Sequence, residues 1–209
     1  VVSRLPLVLA VLLVLSACGR AAAAPEGAWA GVELARPMAK PHLVLTDTDG
    51  NPYDLVGRTA GRTTLVYFGY TSCTDICPIH LAQLAQVMAR NDMPRDIAVV
   101  FITVDPRRDT PEVMRRYLDS FDPRFVGLTG SVAEIDEAQR MFGLPIARPE
   151  TDDPGVYGHA GQVFAFAPDG VARTVYPYGT RQTQWVHDLP LLDAIPAATT
   201  AVPATEAGS

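Results

Sequence analysis

Two uninterrupted apolar runs constrain this chain more than any other feature. Thr64–Phe68 (TLVYF), set between Gly61 and Gly69, and Ile97–Val104 (IAVVFITV) are rich in β-branched and aromatic residues and show no polar alternation. That is the pattern of strands buried on both faces of a sheet. Such strands need helices above and below, and the sequence supplies them. Pro78–Arg90 carries an apolar stripe of Leu81, Leu84, Val87 and Met88. Asp109-Thr110-Pro111-Glu112 offers a cap, an early-turn proline and a capping-box glutamate for a helix ending near Phe121. Ser131 and Glu134 frame another to Phe142, and Thr183–Leu192 forms the last.

Hairpins complete the pattern at His42–Thr46 with Tyr53–Val56 and at Gln162–Ala167 with Val171–Tyr176, and Phe125–Leu128 adds a short strand. The element order predicts an α/β fold of thioredoxin-like type, a central mixed β-sheet flanked by helices with an N-terminal hairpin. The first hairpin turn imitates a calcium loop with Asp47, Asp49 and Asn51. Pro52 stands where that loop requires glycine and Arg58 where it requires glutamate, so it reads as a turn.

A chain of 209 residues that is 48% hydrophobic suffices for one domain with a full core. Its net charge of -6, with no run of basic residues, argues against a nucleic-acid partner. Residues 41–193 are read as that domain. Ahead of it, the apolar run Leu5–Ala17 behind Arg4 is shorter than the roughly 20 residues of a membrane-spanning helix and ends in Leu15-Ser16-Ala17-Cys18. Residues 1–17 therefore read as a lipoprotein signal peptide, and Cys18 as a lipidated residue that anchors the chain to the membrane with the domain in the cell envelope, outside the cytoplasm. Residues 18–40 are expected to be a flexible tether and 194–209 a disordered tail, both rich in alanine and proline.

The chemistry-bearing segment leaves the end of the first buried run as Gly69-Tyr70-Thr71-Ser72-Cys73-Thr74-Asp75-Ile76-Cys77-Pro78. Strand carboxyl ends are where open α/β sheets bind ligands. If one helical turn separates Cys73 from Cys77, both sulfurs lie on one side, suited to a shared metal or a disulfide, and a helix start there favours thiolates. Among the histidines, His42 and His187 read as surface or capping residues and His80 as a packing residue aligned with Leu84 and Met88. His159, in the glycine-rich stretch Gly155–Gly161, has the freedom to cross the sheet end. Asp105 and Asp109 read as turn and capping residues.

These motifs resemble one family. Tyr67-Phe68-Gly69-Tyr70-Thr71 before Cys73, Asp75 and Cys77-Pro78, then Thr103-Val104-Asp105-Pro106 with Arg108-Asp109-Thr110-Pro111, then Gly158-His159 ahead of Phe164, Phe166, Pro168 and Gly170, are similar in order and spacing to the Sco/SenC family from about Val44 to Leu192. The resemblance implies a membrane-anchored, copper-binding protein of thioredoxin-like fold that assists assembly of the dinuclear copper site of cytochrome c oxidase. It implies Cys73, Cys77 and His159 as copper ligands, and a metallochaperone rather than an enzyme. The expected partners are the copper-bearing oxidase subunit and another periplasmic copper carrier or thiol reductase. Ser72, Thr74 and Ala160 depart from the residues usual beside the ligands. The alternative is a thiol-disulfide oxidoreductase that uses Cys73 and Cys77 to reduce cysteines of exported proteins.

Overall fold

The computed structural model describes residues 29–153 and 155–198. Its frame is an eight-stranded mixed sheet in the order β1-β10-β9-β4-β5-β6-β2-β3. The strands are β1 (Val32–Ala39), β2 (Val44–Asp47), β3 (Pro52–Asp54), β4 (Thr63–Gly69), β5 (Ile97–Thr103), β6 (Val126–Thr129), β9 (Val163–Phe166) and β10 (Val171–Tyr176). A separate two-residue pairing joins β7 (Arg148–Pro149) to β8 (Tyr157–Gly158). Strands β4, β5 and β6 run parallel, and β9 pairs antiparallel to β4. Every residue of β4 and β5 is buried, as their composition requires.

The helices are α1 (Leu55–Arg58), α2 (Ile76–Met88), α3 (Pro111–Asp119), α4 (Val132–Met141) and α5 (Gln182–Asp193). One sheet face, carrying Tyr67, Phe101 and Tyr176, receives His80 of α2, Tyr117 of α3 and Trp185 of α5. The other face packs Phe68, Phe164 and Phe166 around Phe142 at the end of α4. Helices therefore cover both faces, the thioredoxin-like arrangement. The Ser131–Glu134 capping box forms at α4 as its sequence suggests.

Three readings change. Val32–Ala39, assigned by sequence to the tether, is strand β1, paired to β10 from Val32↔Val175 to Ala39↔Val171. Just before it, the amides of Ala30 and Gly31 donate to Asp188 of α5, each at 2.9 Å. The tether reading fails there because an edge strand held by backbone hydrogen bonds needs no apolar alternation. Second, the cap of α3 is Thr110, whose hydroxyl accepts from Val113, and Asp109 is left for another task. Third, Leu55 and Val56 of the first hairpin belong to α1 rather than to β3. Cys18 and the rest of the signal segment lie outside the described residues. No helix among the described residues is long and apolar enough to cross a membrane.

Candidate metal centre

The site forms where β4 and β5 end. Strand β4 ends at Gly69, where only glycine fits: a Cβ would stand 2.8 Å from the Cys77 sulfur and 2.8 Å from Phe101. The chain then turns, with the Cys73 amide donating to the Tyr70 carbonyl at 3.1 Å, and enters α2 at Ile76. Cys73 thus sits in the turn and Cys77 in the first turn of the helix. The two sulfurs are brought together by this turn and not by a continuous helical face. Asp75, at the cap position, makes no side-chain cap bond. The backbone amides of Cys77 and Asp75 help to lower the Cys73 thiol pKa.

This turn is held from below by the loop after β5. Asp109 is fully buried and accepts from the Thr71 amide at 3.0 Å, the Thr71 hydroxyl at 2.6 Å and the Thr103 hydroxyl at 2.6 Å. Burial pushes its carboxyl pKa up, while these three bonds pull the other way. Asp105 is also buried. It forms an ion pair with Arg108 and accepts from the Tyr157 hydroxyl at 3.1 Å. Arg108 in turn donates to the Gly155 carbonyl at 2.8 Å. The two aspartates therefore do more than cap a helix: one braces the cysteine turn, and the other ties down the segment that leads to His159.

His159 reaches the thiols from this second segment. Its Nε2 lies 3.7 Å from the Cys77 sulfur, and its Nδ1 is 3.2 Å from the Ala160 carbonyl. A carbonyl only accepts, so that contact places the proton on Nδ1 and leaves the Nε2 lone pair facing the sulfurs, the tautomer a metal needs. Tyr70 stacks edge-on to the ring at 5.6 Å. The Cys73 and Cys77 sulfurs and a His159 ring nitrogen lie within 4.8 Å of one another, the one such cluster of three among the described residues. His42 is exposed, and His187 is paired with Asp188 at 2.6 Å, away from this cluster. His80 is buried against Tyr67, as packing predicts.

Both cysteines are free thiols. They share one proton. A hydrogen bond from the Cys77 thiol, helped by backbone amides, brings Cys73 down to about 4, so it is a thiolate at neutral pH. Cys77, wholly buried and donating to that thiolate, is pushed up and keeps its proton, although the Tyr67 hydroxyl at 3.4 Å acts in the opposite sense. A metal arriving here meets one thiolate, one thiol poised to ionise and one imidazole ring. The donor set of two soft sulfurs and a nitrogen fits copper in either oxidation state.

A thioredoxin-like domain that gathers a free dithiol and a distant histidine at its strand ends is a metal-site protein by architecture. Comparison with known proteins makes the class specific. The SCO1/SenC family pattern matches residues 34–192, and the chain belongs to that family. It is 45% identical over 94 residues to an SCO2-like protein of Rickettsia felis, a match that covers 44% of this chain and 46% of that protein. The chain thus spans about half the length of this relative. It is similar to the copper-bound structure of ScoI from Bradyrhizobium japonicum at 31% identity and a TM-score of 0.62, covering 74% of this chain and 99% of that one. Copper-bound ScoI of Arabidopsis thaliana matches at 28% identity and a TM-score of 0.66, covering 74% and 97%.

Proposed function

We propose that this protein is a copper carrier that holds one copper ion between Cys73, Cys77 and His159 and serves assembly of the dinuclear copper site of cytochrome c oxidase. The observation that carries this reading is the convergence of two sulfurs and an imidazole nitrogen within 4.8 Å. Copper in the related ScoI structures supports it. On binding, Cys77 gives up its proton and both thiolates face the ion. Three protein donors leave a coordination position through which the acceptor's own ligand can enter. The acceptor is the copper-bearing oxidase subunit, and a second envelope copper carrier or thiol reductase precedes this protein in the sequence of events. Lipidation at Cys18 keeps the domain at the membrane surface of the cell envelope.

Metal analysis of the full chain tests the reading. One copper per reduced chain is expected. Cys73→Ser and Cys77→Ser should each abolish retention, whereas Cys18→Ser should release the protein from the membrane with its copper stoichiometry intact. Full copper retention by the cysteine variants would sink the proposal.

One observation favours a second reading. A Cys73 thiolate beside a protonated Cys77 is also the arrangement in which one sulfur attacks a disulfide and the other resolves the mixed disulfide. His159→Ala separates the two: a reductase keeps its rate on a protein disulfide, whereas a copper carrier loses metal affinity.

A further inference from the structure

Cys77 and His80 stand one turn apart on α2, so their side chains leave the same face of the helix. His80 is 1% exposed, and its ring lies 5.2 Å from Tyr67 and 6.2 Å from Tyr178. Neither Nδ1 nor Nε2 has a hydrogen-bond partner among the described residues. Desolvation, with a smaller contribution from His159, brings its pKa down to about 4, so the ring is neutral. Leaving a buried polar group without a partner costs about 1–3 kcal/mol. Packing alone does not account for this cost, because leucine or phenylalanine would fill the position without it.

The surroundings of the ring point to a ligand role. Tyr67 is the common neighbour of both imidazoles, 5.2 Å from His80 and 6.3 Å from His159, and its hydroxyl donates to the Cys77 sulfur. The two imidazoles thus approach from different elements the one tyrosine whose hydroxyl meets the Cys77 sulfur. His159 is carried by a loop between Gly158 and Gly161. His80 is fixed on a helix. The loop rests on α2 through Gly161, where a Cβ would stand 2.8 Å from Ile76 and 3.7 Å from Tyr178. The residues that seat the His159 loop thus include the start of the helix and the aromatic beside His80.

We infer that His80 is a reserve copper ligand, which joins Cys77 in holding the ion when His159 is drawn away. This rests on the reading of Cys73 and Cys77 as the copper thiolates. The exchange is a ligand substitution without electron transfer. The bond from copper to His159 Nε2 breaks as a bond to a His80 ring nitrogen forms, one nitrogen lone pair replacing another at the ion. Copper(I) is stable with two or three soft donors. A second imidazole keeps that number constant while the acceptor opens the site from the loop side. Fixed donors near a metal hold it through such exchanges, and losing an orienting or supporting group costs roughly 10–100-fold in affinity.

The test uses the full chain loaded with Cu(II) and read by pulsed electron paramagnetic resonance, which detects the remote nitrogen of a bound imidazole. His159→Ala should still bind copper and still show one imidazole. His159→Ala with His80→Leu should show none, and its Cu(I) affinity, measured against a chromophoric chelator, should fall by more than the product of the two single effects. His80→Gln, which retains a polar side chain of similar size, should behave as the leucine variant does, separating ligand loss from a packing defect. A His159→Ala complex without imidazole, or a double variant that keeps it, overturns the inference. Failure of the unaltered protein to bind copper would instead overturn the copper reading itself.

Discussion

Strand β4 has a buried polar cluster at each end, built on opposite terms. At its amino end, Lys40 donates all three ammonium protons, to the Thr59 carbonyl at 3.2 Å, the Thr59 hydroxyl at 2.7 Å and the Thr64 hydroxyl at 2.9 Å. Thr59 and Thr64 pass their own protons to the Leu55 and Arg62 carbonyls, and Thr63 donates to Asp193. At the carboxyl end, His80 has no partner on either nitrogen among the described residues, and Cys77 and His159 meet at 3.7 Å. The amino-end cluster is bonded to capacity, because an unmade bond costs more than a made one gains. The carboxyl-end donors are left short, as are a few buried groups elsewhere, Trp185 and Tyr117 among them. The carboxyl end contains both kinds, with Asp109 saturated beneath the unsaturated donors.

The comparison breaks most readily at Asp109. Replacing it with alanine orphans the Thr71 amide and hydroxyl and the Thr103 hydroxyl at once, and should cost about 3–5 kcal/mol in urea unfolding of the metal-free protein. Copper affinity should fall as well, since Thr71 precedes Cys73 in the same turn. A variant that lost affinity without losing stability would place Asp109 among the metal-facing groups and not among the braces.

Gly69→Ala gives a smaller expected effect and tests packing instead of hydrogen bonding. The added methyl must displace the Cys77 sulfur or the Phe101 ring, each 2.8 Å away, and overpacking of this kind costs about 1–3 kcal/mol. If the ring yields, copper binding survives. Displacement of the sulfur should separate the thiols, so alkylation of Cys73 should lose its persistence at acidic pH. In the unaltered protein alkylation is expected to persist down to about pH 4, because the hydrogen bond from Cys77 lowers the Cys73 pKa.

Much of this was legible in the sequence, for identifiable reasons. Strands β4 and β5 announce themselves because burial on both faces leaves no room for polar residues. Cys73 and Cys77 stand out by their spacing after a buried strand, whereas His159 is set apart from three other histidines by its glycine-rich stretch and becomes a ligand candidate through the family resemblance. Strand β1 is hidden because most of its residues are exposed and its stability comes from backbone pairing with β10. The bracing role of Asp109 is hidden because Thr71 lies 38 residues away, whereas the local signal Asp-Thr-Pro-Glu fits a helix cap. Only the fold shows that the cap is the next residue, Thr110. The missing hydrogen bonds of His80 are invisible to any pattern of spacing, since the same position on the helix stripe suits a packed ring and a ligand alike.

The smallest effect belongs to the saturated end, and its sign can be worked out. Burial, reinforced by Arg62 and opposed by Asp169, brings the Lys40 pKa from 10.5 to about 8. Between those values the unfolded chain binds more protons than the folded one, so stability from this group rises as pH increases from about 8 to 10.5. Below about pH 8 the folded state carries a buried ammonium at its full cost. The hydrogen bonds to Thr59 and Thr64 offset part of it, and partial access to solvent reduces it further, which leaves about 1 kcal/mol between pH 7 and pH 9.5. Lys40→Met should remove this rise. The comparison to make is the difference between the two proteins in urea midpoint at the two pH values, because the thiols and tyrosines titrate alike in both and cancel. Copper affinity at pH 7 should be the same in both, since Lys40 stands at the end of β4 opposite the thiols. Equal slopes with pH would mean that Lys40 stays charged in the fold, and the three hydrogen bonds would then compensate its burial completely.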